Sequence, residues 1–511
     1  MRSNIPVLVG IGQVVERLEV SDYQTKTAIQ LACEAVEIAL SDAHSDIRDS
    51  ISAMTVIRTF PDSVPKELQP FLAPFGWSNN FAGSVADQLG FSDVTVTYSG
   101  ACGNEPQKWV GRYAQQIAMG EITGAIICGA EAIATMRKAK ADGRHLDWSS
   151  ESSYPVQDGG MNTDFMVEGE LIRHGAAVPT AVYPLLEQAR RLQRQESSDQ
   201  YAQHMGELFA PFTEVAANNP YSMSQKRLEP AQIAEVTASN RMVSDPYPKA
   251  VIARDWVNQA AAVVIISEDV ADALGICQSK RVYLHGHADS LEKPVLERSN
   301  LAASEAMSRT YDQALACAGK RFEEMDWVDI YSCFPVAVFN VLDHYDLPAL
   351  SDRSYTLTGG LPFFGGPGNN YSLHAIASAV DRLRQSPGSF ALVGANGGYL
   401  SKHSVGVYST QPCEWRPHAN EQLQAGLDRI QSVAVETEPS GVFELESYTV
   451  LYKGEHPQLA IAVARSPKTG NRAVATSVDQ LTILALSSAK SKTNITMHAG
   501  QPMNTFELRG E

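Results

Sequence analysis

The chain is predicted to be an α/β protein, and three observations predict it. Strand-like and helix-like patterns alternate over the first 410 residues. The strand runs are short, buried in character and rich in β-branched residues. The turns between them are Gly-rich and follow strands or open helices, the position where α/β sheets bind ligands. At 511 residues the chain exceeds one ordinary core, so several domains are expected.

In order, Pro6-Val-Leu-Val-Gly-Ile-Gly12 reads as a buried strand entering a Gly turn. Residues 25–40 form an amphipathic helix and residues 54–57 a second strand. A third strand, 94–98, meets Tyr98-Ser-Gly-Ala-Cys102-Gly-Asn-Glu-Pro106-Gln. A helix over 107–119 follows, with Trp109, Tyr113 and Ile117 on one face. Pro106 suits its first turn, where a missing N–H costs nothing. A strand at 125–129 comes next. From about 135 to 249 Gly, Ser, Asp and Pro interrupt the pattern, with helical pieces at 182–195 and 198–209, as in an inserted loop domain. Residues 260–267 resume a buried strand. A second series then repeats the plan: strand 282–287, helix 304–318, strand 327–331, helix 336–342, the Gly-rich stretch 359–370, a helix carrying Leu373, Ile376, Val380 and Leu383, strand 390–393, the turn 394–403 and strand 405–408. The shared plan hints at duplication. Beyond 410, Pro412, Trp415 and Pro417 read as a linker, and short strands at 433–435, 441–451 and 459–464 suggest a small β-rich appendage. The domain reading is therefore 1–270, including the loop segment, then 271–410, then 411–511.

The formal charge of −17 argues against nucleic acid or an anionic membrane surface as partner. The longest apolar run, 260–266, is too short to span a bilayer. No signal peptide is read at the N-terminus, nor a peroxisomal tripeptide at Leu508-Arg-Gly-Glu511. Seven scattered cysteines without CxxC or zinc-type spacing fit reduced thiols in a cytoplasmic setting.

Four turns compete for one site: Cys102, Tyr331/Cys333, 365–370 and 396–403. Cys102 lies ahead of a helix N-terminus, whose partial positive charge favours thiolate. A cysteine nucleophile needs a base and oxyanion donors. His374, in the first turn of the helix after the Gly loop, and His403, at the end of the 396–403 turn, are the candidate bases. The Gly365-Gly-Pro-Gly-Asn-Asn370 loop lacks both the P-loop ending and the dinucleotide spacing. His285-Gly-His287 lacks a clear third ligand, so no metal site is read.

Together these pieces resemble the thiolase superfamily over residues 5–410, in the branch related to sterol-carrier-protein-X thiolases and described as acetyl-CoA acetyltransferase-like. The resemblance rests on Gly10-Ile-Gly-Gln13, Cys102-Gly-Asn-Glu-Pro-Gln107, Cys128-Gly-Ala-Glu131, the 240–249 stretch Asn-Arg-Met-Val-Ser-Asp-Pro-Tyr-Pro-Lys, Asp329-Ile-Tyr-Ser-Cys-Phe-Pro335, the 358–371 Gly-rich block and Ala395-Asn-Gly-Gly-Tyr-Leu-Ser-Lys-His403. It implies a five-layer αβαβα fold of two similar halves with an extra C-terminal β domain, a homodimer, and an acyl-CoA or other thioester as substrate without a resident cofactor. It also implies an acylated Cys102. The family's activating His falls at Gly366, and its Cys-x-Gly-Gly turn reads Ala395-Asn396-Gly397-Gly398. The oxyanion motif reads Tyr331-Ser-Cys-Phe334. Asn396, Gly397, Gly366 and Asn370 are accordingly expected to hold substrate.

With the usual base and second cysteine absent from those slots, acyl transfer through Cys102, with His403 or His374 as base, is the expected chemistry. The alternatives are retro-aldol cleavage of a β-hydroxyacyl-CoA using Tyr331, and a non-catalytic acyl-CoA-binding scaffold recruiting a partner protein through its C-terminal β domain.

Overall fold

A computed structural model describes residues 4–44, 47–161, 168–417, 419–490 and 492–508. Part of the loop segment (162–167) and the last three residues lie outside the described residues. The strands of the larger sheet are β1 (Pro6–Val15), β2 (Ala53–Val56), β3 (Thr95–Tyr98), β4 (Gly124–Ala132) and β5 (Val156–Asp158). A hairpin, β6 (Met242–Ser244) and β7 (Tyr247–Pro248), belongs elsewhere. The sheet continues with β8 (Asn258–Ser267), β9 (Val282–Leu291), β10 (Trp327–Ile330), β11 (Phe390–Gly397) and β12 (Lys402–Ser409).

Spatial order in this ten-stranded sheet is β10-β11-β12-β9-β1-β8-β4-β2-β3-β5. Its two halves join where β1 meets β9, through only Val7↔Tyr283 and Leu8↔Val282. Outward from that seam the pairings repeat. In the first half β1 runs antiparallel to β8, β8 to β4, and β4 parallel to β2. In the second, β9 runs antiparallel to β12, β12 to β11, and β11 parallel to β10. The duplication hinted at by the sequence plan is thus a duplication of topology.

The helices that matter here are α1 (Ala28–Ala43), α2 (Phe81–Leu89), α3 (Glu105–Ala118), α4 (Pro179–Arg194), α5 (Ser198–Asn218), α6 (Glu305–Ala318), α7 (Pro335–His344) and α8 (Tyr371–Gln385). They make three layers. Leu31 and Val36 of α1 and Val85 of α2 pack on one outer face, against Val9, Met54 and Ile126. Val110 and Ile117 of α3 and Ile376 and Val380 of α8 fill the middle, against Ile127, Val263 and Val393. Met307 and Leu315 of α6 and Val338 of α7 cover the far face with Leu392 and Val407. Ile126/Ile127 and Leu392/Val393 feed opposite layers because successive strand side chains point to opposite faces. Strands covered on both sides therefore read as continuous apolar runs.

Helix ends are set by caps that hydrophobic spacing does not mark. Helix α1 starts three residues later than its apolar period suggests, behind a Thr27/Gln30 capping box. Ser304 caps α6 through the Met307 N–H.

The remaining strands, β13 (Ser440–Lys453), β14 (His456–Arg465), β15 (Arg472–Ser477), β16 (Asn494–His498) and β17 (Thr505–Leu508), form the second sheet. Strand β13 pairs with both β14 and β16, so the five close on themselves around Tyr448, Ile495, Met497 and Phe506. The β6–β7 hairpin extends this sheet through Ser244↔Leu451. Arg472 is fully buried; it pairs with Glu446 at 2.6 Å and donates to the carbonyls of Leu296 and Arg298. The barrel is therefore tied to both the loop segment and the second half.

One kind of close contact recurs in both halves. A Cβ on Gly12 of β1 would stand 2.0 Å from the Ala35 carbonyl oxygen of α1, and one on Gly286 of β9 would stand 2.1 Å from that of Ala314 in α6. Backbone atoms cannot yield as a side-chain tip can. Gly286→Ala is expected to destabilise the protein by about 1–3 kcal/mol, read as a lowered denaturation midpoint. Gly169→Ala, where nothing lies within 4 Å, is expected to leave the midpoint nearly unchanged. Equal effects at the two positions would contradict this packing.

Candidate functional site

Cys102 sits where the sequence puts it, between β3 and α3, with Pro106 in the helix's first turn. Its φ of +145° is unusual for a residue with a side chain, and strain of this kind concentrates at functional sites. The thiol is buried, 4% exposed. It lines a cavity of about 350 Å³ together with Tyr331, Cys333, Gly366, Asn396, Gly397 and Gly398. Phe334, Leu361, Ile133 and Ile252 supply apolar wall.

The far side of the thiol is closed by the second half. A Cβ on Gly397 would lie 2.4 Å from Cys102 Cβ, so only glycine allows β11 to approach this closely. Ser372 Oγ donates to the Gly103 carbonyl at 2.7 Å, and Asn104 Nδ2 to Ser404 Oγ at 3.2 Å. A Cβ on Gly103 would meet the Tyr331 hydroxyl at 2.1 Å. The turn is thus held between the C-terminal ends of β10 and β11 and the start of β12.

Of the residues expected from sequence, Cys102, Tyr331, Asn396, Gly397 and Gly366 share this cavity, and His374, His403 and Asn370 do not line it. His374 lies on the buried side of α8. Its Nδ1 meets Gln13 Oε1 at 2.8 Å, its ring packs on Phe364, and burial pushes its pKa down to about 3. His403 points toward α6: Nε2 lies 3.3 Å from Ser304 Oγ and 3.2 Å from the Leu400 carbonyl oxygen. Burial outweighs the nearby Glu292 and lowers its pKa to about 4. Asn370 Nδ2 donates to the Gly129 carbonyl at 2.7 Å. Its neighbour Asn369 lines the cavity instead, anchored on the Arg58 carbonyl and Ser63 Oγ.

Sequence reasoning passed over Lys402. Strand alternation puts it on the face opposite His403, and it is 2% exposed. Burial raises the Cys102 pKa, the Lys402 ammonium lowers it by charge and by a side-chain hydrogen bond, Glu105 raises it, and the Gly398 N–H lowers it. The net direction is upward, against the expectation from the helix N-terminus alone: loss of water outweighs the partial charges of the turn. Glu105, which opens the helix, engages Lys108 at 2.7 Å and the Trp109 indole at 3.1 Å.

Cys333 is a second thiol in the same cavity, from the turn after β10 rather than from the Ala395–Asn396 turn. Its Sγ stands 4.0 Å from Asn396 Oδ1, and burial pushes its pKa up to about 12. Tyr183, from α4, reaches in from the loop segment, accepting from the Leu400 N–H and donating to the Gly398 carbonyl at 3.1 Å. The Tyr331 hydroxyl makes no hydrogen bond among the described residues. A Cβ on Gly366 would be 3.3 Å from the nearest atom, the Arg254 carbonyl oxygen, a tight fit for any side chain there.

Two topologically matched halves meeting over a buried cysteine define a thiolase-fold protein. Along its full length the chain is 36% identical to a monomeric SCP2-thiolase-like protein type 1 (STLP1) from Mycobacterium smegmatis, covering 100% of both chains with a TM-score of 0.83. The chain belongs to the SCP2-thiolase-like proteins of type 1. Residues 422–498 match the family model for the thiolase-like protein type 1 additional C-terminal domain. More distant structures share the fold: an Ltp2–ChsH2(DUF35) aldolase, at 16% identity over 80% of this chain and 98% of that one (TM-score 0.58), and an acetyl-CoA acetyltransferase from Syntrophomonas wolfei, at 14% over 80% and 100% (TM-score 0.53). No curated protein sequence matches the chain. Among the described residues, no helix is long and apolar enough to cross a membrane.

The buried His374 makes a signed prediction. Its folded pKa of about 3 lies below the ordinary 6.5, so the unfolded chain binds a proton that the folded chain refuses. Its contribution is complete above pH 6.5 and is lost as pH falls toward 3. Relative to His374→Gln, the wild type is expected to lose about 1.4 kcal/mol per pH unit between pH 6 and 4, read from paired denaturation curves. Parallel curves for the two proteins would contradict it.

Proposed function

We propose that the protein is an acyltransferase that accepts an acyl group from an acyl-CoA, or a related thioester, onto Cys102. The observation that carries this reading is the cavity that Cys102 lines with Tyr331, Asn396, Gly397 and Gly398, where Lys402 and the Gly398 N–H both favour the thiolate. A thioester entering along the apolar wall would bring its carbonyl carbon to Sγ. A new S–C bond forms, the bond to the coenzyme A sulfur breaks, and the thiol proton ends on the departing sulfur. Backbone N–H groups at such a turn suit a developing oxyanion. Transfer onward to a thiol, amine, alcohol or water requires no carbanion, so it does not call on a strong base, and neither His374 nor His403 is assigned that task. Coenzyme A enters as part of the substrate, not as a resident cofactor.

The description of the M. smegmatis relative as monomeric supports a monomer here, in place of the homodimer expected from the wider superfamily. All seven cysteines are free, which suits a reducing, cytoplasm-like compartment.

A second reading has one observation in its favour. The Tyr331 hydroxyl faces the same cavity with no partner among the described residues, beside Cys102 and Cys333. It could serve retro-aldol cleavage of a β-hydroxyacyl-CoA, which needs no acyl-cysteine.

Incubation with a panel of acyl-CoAs followed by intact-protein mass spectrometry separates these readings. The expected result is a single acyl adduct that disappears in Cys102→Ala. No adduct on the wild type, or an undiminished adduct in Cys102→Ala, would sink the first reading. Cleavage retained in Cys102→Ala and lost in Tyr331→Phe would install the second. Coenzyme A binding without adduct or turnover would leave a scaffold.

A further inference from the structure

We infer that Lys402 is the positioning residue that sets the nucleophilicity of Cys102, in place of a histidine base. The inference deepens the acyl-transfer reading and depends on it only for the identity of the electrophile.

The placement comes from the sheet. Gly397 and Lys402 are cross-strand partners in the β11–β12 hairpin, and Gly397 packs directly on Cys102. Along β12 one face carries Lys402, Ser404 and Gly406. Ser404 receives a hydrogen bond from Asn104, in the Cys102 turn. A Cβ on Gly406 would meet the Gln107 side chain at 2.5 Å. All three positions therefore face the N-terminal end of α3. His403, between them, faces α6. The Lys402 side chain is buried, and its charge lowers the Cys102 pKa against the effect of burial.

Other charged or titratable groups around the pair do not substitute for it. Glu105 of α3 disfavours the thiolate and is engaged by Lys108 and Trp109. Tyr331 and Cys333 after β10, and Tyr399 after β11, are held neutral by burial. Asp289 of β9 accepts from Ser404 and Asn420. Lys402 is thus the cation that opposes burial at this sulfur. A buried cation beside a thiol favours the thiolate, and a lysine, always a donor, orients the sulfur lone pair without needing to accept its proton. In acyl transfer that proton leaves on the coenzyme A sulfur.

Site-resolved alkylation tests this without any acyl donor. Cys102 thiolate displaces iodide from iodoacetamide, the S–C bond forms, and the thiol proton goes to solvent. The rate is followed against pH by peptide mass spectrometry in the full-length protein. In Lys402→Met the profile of Cys102 is expected to move upward by about one pH unit, with the rate at pH 8 falling about tenfold. The other cysteines should be unaffected. Lys402→Arg, which keeps the charge, should retain most of the rate. Should Lys402→Met fail to fold, Lys402→Gln carries the same comparison. An unshifted profile in the neutral variants, or an equal loss in Lys402→Arg, would overturn the inference. Failure of acyl-CoAs to label Cys102 while the alkylation profile shifts as described would remove the acyl-transfer reading and leave this one standing.

Discussion

The site depends on one close approach: Gly397 of the second half against Cys102 of the first. Two strands from topologically equivalent halves end at the same place, and no side chain fits between them. The approach has three consequences. It buries one side of the thiol and brings the cross-strand partner of Gly397, Lys402, to that side. It also locks the turn through Ser372, Asn104 and Ser404. The unusual φ of Cys102 is the conformation that a turn so confined adopts.

Burial then decides the electrostatics. Desolvation is the largest influence on the Cys102 thiol, as it is on Cys333, Tyr331, His374 and His403. A helix N-terminus is a modest local effect, and at a thiol this deeply buried it is outweighed. A buried thiol in this setting gains thiolate character only from a full charge nearby, and in our proposal Lys402 of strand β12 supplies that charge rather than a histidine. The same burial explains why each histidine singled out by its proximity in sequence ends in a neutral niche of its own.

Much of this was legible in the residues. Alternating strand and helix runs, the late β-rich appendage and the strand–Cys102–helix unit all follow from periodicity and turn chemistry. The duplication was visible only as a shared plan, because it lives in strand pairing, with glycines at Gly12 and Gly286 as its residue-level trace. The site was legible to within one residue in two places. The sequence points to His403, where its neighbour Lys402 acts on the thiol, and to Asn370, where its neighbour Asn369 lines the cavity. Both misses come from reading a turn as a patch. Applying the two-residue alternation of β12 from its paired register would have separated His403 from its neighbour. Tyr183 had no sequence signal, since it arrives from the loop segment more than two hundred residues from its hydrogen-bond partners at 398 and 400. Cys333 was visible in its turn, but nothing local tied that turn to Cys102.

The central claim is that chemistry occurs at the Cys102 cavity, with the ends of β11 and β12 forming its reactive wall. The most direct test is a crystal structure of the protein after exposure to an acyl-CoA. The account predicts density continuous from Cys102 Sγ into the cavity, with the carbonyl oxygen turned toward the Gly398 N–H. An acyl-CoA bound in another groove, with Cys102 unmodified, would contradict it.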